Sequence, residues 1–160
     1  MKKYHVAVAA EALAAAAFAR QGYEVSVQYG ANRPGYDLVA VKGRRVLKVS
    51  VKGSQDGGWA LLAGHKGGRC WGDAVDAWRS AQPRDVVMFF VQFQGIRQDK
   101  MALMYLARPS HVAAHLKRGR NGHVGTCLHV VRYYKKGIAK GHTDRIPTSW
   151  ACSRLRMNSI

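Results

Sequence analysis

The chain has 160 residues, 48 % of them apolar, and 26 Lys and Arg against 9 Asp and Glu give it a formal net charge of +17. That length and apolar content exclude a disordered or collagen-like chain and suit one domain, or a small domain with an added tail. No apolar run approaches the ~20 residues of a bilayer span, and a surface this basic calls for a polyanionic partner, nucleic acid before an anionic membrane.

The opening Met-Lys-Lys-Tyr-His has the basic character of a signal peptide, but the Ala-rich stretch behind it is interrupted by Glu11 and Arg20 and reads as a helix over about 5–21. Gly22 is a natural stop. Residues 23–29 alternate and predict a strand, 30–35 a loop, 36–41 a second strand, Lys42-Gly43 a tight turn and 44–52 a third strand. A turn over 53–58 leads to a short strand at 59–62. Residues 64–69 are a glycine-rich basic loop without the Gly-Lys-Ser/Thr of a P-loop. A helix is expected over 73–81, a buried strand over 85–91 and another over 101–107. A helix opened by Pro109 follows to about 116, then a basic loop over 117–122 and a final strand over 125–134. From Lys135 the sequence is basic and turn-rich. The pattern predicts an α/β fold with a mixed central sheet and flanking helices. It divides into a domain over 1–134 and a basic C-terminal extension, 135–160, packed on it.

Cys70, Cys127 and Cys152 are odd in number and lack CxxC spacing, so neither a disulfide framework nor a zinc knuckle is indicated. A reducing, cytoplasmic compartment is expected.

Acids are scarce enough for their positions to be informative. Glu11 and Glu24 are the two glutamates. Asp37 opens a strand among apolar neighbours, where a carboxylate is unfavourable unless a cation or hydrogen bonds compensate it. With Lys42-Gly43 as a two-residue hairpin turn, Val41 would pair with Arg44 and Asp37 with Lys48. Lys48, Ser50 and Lys52 share a face, so Asp37, Ser50 and Lys52 are expected to project to one side, with Glu11 leaning over the strand ends from its helix.

A helix bearing Glu11, then Gly22-Tyr23-x-Val25, a loop, Tyr36-Asp37-Leu38-Val39-Ala40, a hairpin and Val49-Ser50-Val51-Lys52-Gly53-Ser54 resemble the PD-(D/E)XK nuclease superfamily. The nearest branches are the archaeal Holliday-junction resolvases and the small homing endonucleases of group I introns. The resemblance covers residues 4–60 and lies in the order and spacing of short motifs. It implies a restriction-endonuclease-like αβββαβ core and a DNA endonuclease using Mg²⁺ or Mn²⁺. By the same resemblance, Asp37 would bind the metal and Glu11 would orient the metal or its waters. Lys52 would position or help deprotonate the attacking water. Ser50 stands where the family usually has Glu, Asp or Gln. Superfamily members with Ser-x-Lys take the missing acid from a following helix, which makes Asp73 and Asp76 candidates; Gln55 offers a neutral oxygen instead. Family members usually act as homodimers or homotetramers.

Mg²⁺ favours hard oxygen ligands and retains several waters, so one or two carboxylates plus substrate phosphate can suffice. Replacing an acid by Ser50 weakens that set, and a DNA- or RNA-binding protein that no longer cuts is the alternative reading. A basic RNA-binding or ribosome-associated protein is a third. Lys2, Lys3, Arg33, Lys42, Arg44, Arg45, Lys66, Arg69, Arg118 and Arg120 are the candidate contacts to the phosphates of duplex or branched DNA. His111 and His115 have metal-pair spacing but read as a solvated helix face, and Cys127 and His129 as structural.

Overall fold

The computed structural model describes residues 1–28, 35–65, 67, 70–97, 100–118, 125–137 and 139–160. Arg33, Lys66, Arg69 and Arg120 lie outside the described residues. Helix α1 (Lys3–Ala19) is followed by β1 (Glu24–Val27), β2 (Leu38–Lys42), β3 (Arg45–Ser54) and β4 (Gly58–Ala60). Then come α2 (Trp71–Ser80), β5 (Val86–Gln92), β6 (Leu103–Ala107) and α3 (Pro109–Lys117). The chain ends in β7 (Cys127–His129), β8 (Val131–Tyr133), β9 (Thr143–Arg145), a 3₁₀ turn (Thr148–Trp150) and α4 (Arg154–Ser159).

The main sheet has the strand order β1-β2-β3-β5-β6 and is mixed: β3 and β5 are parallel, the other pairs antiparallel. Parallel pairing of β3 with β5 needs a crossover, and α2 lies within it. The expected mixed α/β layout with flanking helices is what forms. The single sheet is not, because two short two-stranded sheets, β4-β7 and β8-β9, accompany the main one.

Each face of the main sheet carries its own core. Ala10, Ala14 and Phe18 of α1 and Met157 of α4 pack on the face presenting Leu38, Ala40, Val49, Val51, Val87, Phe89 and Val91. Val75 and Trp78 of α2 and Val112 and Leu116 of α3 pack on the face presenting Val86, Met88 and Phe90. Strand β5 is buried at all seven positions, as its nearly unbroken apolar run requires.

Three sequence expectations are corrected. The hairpin turn is Gly43-Arg44, with Lys42 opposite Arg45, Val39 opposite Lys48 and Leu38 opposite Val49. Gly43 takes φ +58°, the left-handed conformation that the first central position of such a turn needs and that Lys42 would adopt only with strain. Every partner therefore moves by two residues, and side-chain faces are preserved. The strand expected over 125–134 changes partner at Val130, whose N–H bonds to Gly57 O while its carbonyl accepts from Ile146 N–H, so β7 and β8 belong to different sheets. Residues 135–160 hold β9, the 3₁₀ turn and α4 rather than turns alone. Arg45 latches α4 in place, donating from Nη1 to Asn158 O at 2.9 Å and from Nη2 to Ile160 O at 2.6 Å.

Among the described residues, no helix is long and apolar enough to cross a membrane.

Candidate functional site

Strand β2 starts at Leu38 while β3 continues to Ser54, so the main-chain groups of β3 beyond Val49 need another partner on that side. Asp37 supplies one. Its Oδ2 accepts the Val51 N–H at 2.6 Å and lies 3.4 Å from the donating Ser50 Oγ. Its own N–H donates to Val49 O at 2.8 Å, and its carbonyl accepts from Gln28 N–H at 2.9 Å. The carboxylate is thus tied to β3, in place of a residue of β2, while the Asp37 carbonyl joins the chain just past β1. Charge-assisted bonds of this kind hold a half-buried carboxylate in one orientation.

The observed register pairs Lys48 with Val39, not Asp37, and Asp37 lies one residue before the ladder, bonded to Val49 O and Val51 N–H. Ser50 and Lys52 alternate onto one face of the sheet, the face opposite α1, and Asp37 Oδ2 reaches the Ser50 hydroxyl there. Ser50 is buried and Lys52 exposed. Lys48 Nζ instead lies 2.8 Å from Asp85 Oδ2, one residue before β5.

Glu11 projects from the helix layer and is half-buried. Partial burial holds its carboxyl above the usual range, the negative charge of Asp37 adds to that, and the Lys52 ammonium acts in the other direction. Glu11 is therefore close enough to feel the charges of both Asp37 and Lys52 through partly desolvated space. The helix reaches this end of β3 because Gly53 lets it: a Cβ on Gly53 would fall 2.9 Å from Ala10 Cβ, Val6 Cγ1 and Val6 O.

Beside Lys52, a cleft of about 470 Å³ opens between α1 and the turn after β3, lined by Lys3, Val6, Lys52, Gln55, Asp56 and Trp59 among others. Trp59 fixes its floor by donating Nε1–H to Lys52 O at 2.8 Å. Asp56 was not singled out by sequence. Its carboxylate accepts from Ser54 Oγ at 2.6 Å, and that bond holds its pKa below the usual carboxylate range. The Ser54-x-Asp56 spacing before a Gly pair is the signal that marks such a turn.

The other candidates scatter. Gln55 Nε2 donates to Met1 O at 2.8 Å. Asp73 lies in the first turn of α2, where its N–H caps onto Cys70 Sγ. Both oxygens of Asp76 are 2.6 Å from Lys117 Nζ, so its charge is engaged with α3. Lys42 donates to Gln21 O at 2.6 Å, and Arg45 serves α4 and the Tyr23 hydroxyl, so both work within the fold. Lys2, Lys3, Arg44 and Arg118 are exposed. His115 is no solvated helix residue: it sits 3.4 Å from the buried Asp144 and stacks edge-on against Trp150. Among the described residues, no group of three or more His, Cys, Asp and Glu side chains is placed to hold a metal ion.

Comparisons with protein-family models, with curated proteins and with solved structures gave no match to this chain.

Proposed function

We propose that the protein is a divalent-metal-dependent DNA endonuclease with a PD-(D/E)XK-type site on a restriction-endonuclease-like fold. The order α1-β1-β2-β3-β4-α2-β5, with β4 set apart in a second sheet, and the central parallel β3-β5 pair support the fold assignment. The observation that carries the function is the placement of Asp37: bonded to the backbone of β3 and beside the Ser50 hydroxyl, it lies within the electrostatic reach of Glu11, which also feels Lys52.

The residues present fit a hard divalent cation. The Asp37 carboxylate disfavours ionisation of Glu11, a repulsion that a cation between them would relieve, and the deficit of ligands matches an ion that keeps waters and takes substrate oxygens. A bound Mg²⁺ or Mn²⁺ would neutralise phosphate oxygens and make a water nucleophilic at neutral pH. Asp37, with one oxygen fixed by Val51, presents its carboxylate in a constant direction. Lys52 donates hydrogen bonds to the phosphate oxygen on which charge develops. Hydrolysis joins the oxygen of water to phosphorus, breaks one ester bond and delivers a proton to the departing sugar oxygen.

A plasmid-nicking assay tests this reading. Wild type is expected to nick supercoiled DNA with Mg²⁺ or Mn²⁺ and to stop in EDTA. Asp37→Ala and Lys52→Ala should each lose about 10²-fold or more in rate, as removal of a positioned catalytic group does. Activity equal to wild type in both variants would refute it. One observation favours a second reading, binding without cleavage: Ser50 replaces the usual acid, and no third metal-ligating side chain joins Asp37 and Glu11 among the described residues. Tight duplex binding with no nicking under either metal selects that reading.

A further inference from the structure

The β8-β9 ribbon is absorbed by neither core. All three residues of β8 are exposed, and Val131 and Tyr133 retain 52 % and 56 % of their surface. Pairing of Val131 with Arg145 and of Tyr133 with Thr143 puts these four side chains on one face, and all four are exposed. The ladder continues through Tyr134 and His142 to a turn that carries Lys135, Lys136 and Lys140, each exposed. Arg132 lies over the Tyr134 ring at 6.0 Å. The ribbon's single acid, Asp144, is buried and turned onto His115. Among the described residues, Arg132, Lys135, Lys136, Lys140 and Arg145 form no ion pair.

We propose that this ribbon is a DNA-reading arm that lies in the major groove of duplex DNA, with Val131, Tyr133, Thr143 and Arg145 toward base edges and the tip lysines on phosphates. Two paired strands ~4.8 Å apart fit a groove ~12 Å wide. The exposed chemistry suits that position: Arg for guanine, apolar and Thr methyl groups for the thymine methyl, and cations for the backbone. The arm is also rooted at the site. Val130 N–H bonds to Gly57 O at 3.1 Å, five residues past Lys52 in the turn that borders the cleft. Groove contact by the ribbon would therefore fix where the backbone passes Lys52. The inference rests on DNA being the substrate and is independent of the metal.

The test is fluorescence anisotropy in EDTA with a B-form duplex and a double-stranded RNA of the same sequence, titrated over salt. The probe protein is wild type, the triple variant Lys135→Ala/Lys136→Ala/Lys140→Ala, or the double variant Tyr133→Ala/Arg145→Ala. The substituted side chains are exposed, and a thermal melt checks that the fold is kept. Wild type should prefer DNA, because the A-form major groove does not admit a ribbon. The triple variant should lose about tenfold or more in DNA affinity, and its slope of log K on log salt should fall by ~0.9 per phosphate contact removed. The double variant should weaken DNA binding and leave RNA binding unchanged. Unchanged affinity and slope in the triple variant, or equal losses on DNA and RNA in the double variant, would each overturn the proposal. Ribbon-dependent binding by a wild type that nicks nothing would instead refute only the nuclease reading.

Discussion

Burial and the charge of Asp37 both favour the protonated form of Glu11, and Lys52 opposes them. The folded protein therefore holds that proton more tightly than the unfolded chain does. The stability Glu11 contributes is complete below its unfolded pKa and is lost as pH rises through the higher folded value. At pH 7 in EDTA, Glu11→Gln should accordingly be more stable than wild type by about 0.5 kcal/mol or less, since water screens a half-exposed charge. The difference should shrink as pH falls toward about 4, the range of an ordinary carboxyl, and be gone below it. Added Mg²⁺ should narrow it at pH 7. Urea midpoints measured across pH report this directly, and a variant less stable than wild type at pH 7 in EDTA would show that Glu11 is a structural partner. Asp37 is different in kind. Its Oδ2 stands in for a missing strand residue, so its removal should disturb the end of β3 as well as any chemistry, which makes Lys52→Ala the cleaner probe of catalysis.

Helix α4 shows how a single side chain can hold an element. Arg45 binds main-chain oxygens of Asn158 and Ile160, Tyr23 Oη donates to Met157 O at 3.4 Å, and Met157 enters the core beneath α1. Arg45→Ala removes two charge-assisted bonds and should cost about 1–3 kcal/mol locally. Amide hydrogen exchange over 154–159 should accelerate while exchange in β5 stays slow; unchanged exchange there would place the latch elsewhere. This contact was not legible in the sequence, because Arg45 reads equally well as a phosphate ligand until the chain's end is seen to return to it. The elements with strong local signals were legible: the Ala-rich α1, the apolar β5 and the Pro-initiated α3. So was the common face of Ser50 and Lys52, which strand alternation alone sets. The register itself was not, because it depends on which central position of the turn takes a positive φ. The break at Val130 was also hidden: β-propensity runs through 127–133, and tertiary partners alone divide it.

On the scale of the molecule, two cores sandwich one mixed sheet, and the candidate site lies where β2 stops short and exposes the end of β3. The net charge of +17 makes association of bare copies unfavourable, and a bound polyanion relieves that repulsion. A cut through both strands needs two sites, so the nuclease reading predicts a homodimer or homotetramer on a duplex. Light scattering of the complex measures this, and one copy per duplex at saturation would restrict the activity to nicking. The nuclease reading requires Asp37 and Glu11 together to take a divalent cation beside Lys52. A Mn²⁺ titration of the ¹⁵N-labelled, DNA-free protein measures this. Paramagnetic broadening should begin at Glu11, Asp37, Val51 and Lys52 and should vanish from them in Asp37→Asn. Broadening that begins elsewhere, or that survives that substitution, would contradict the account.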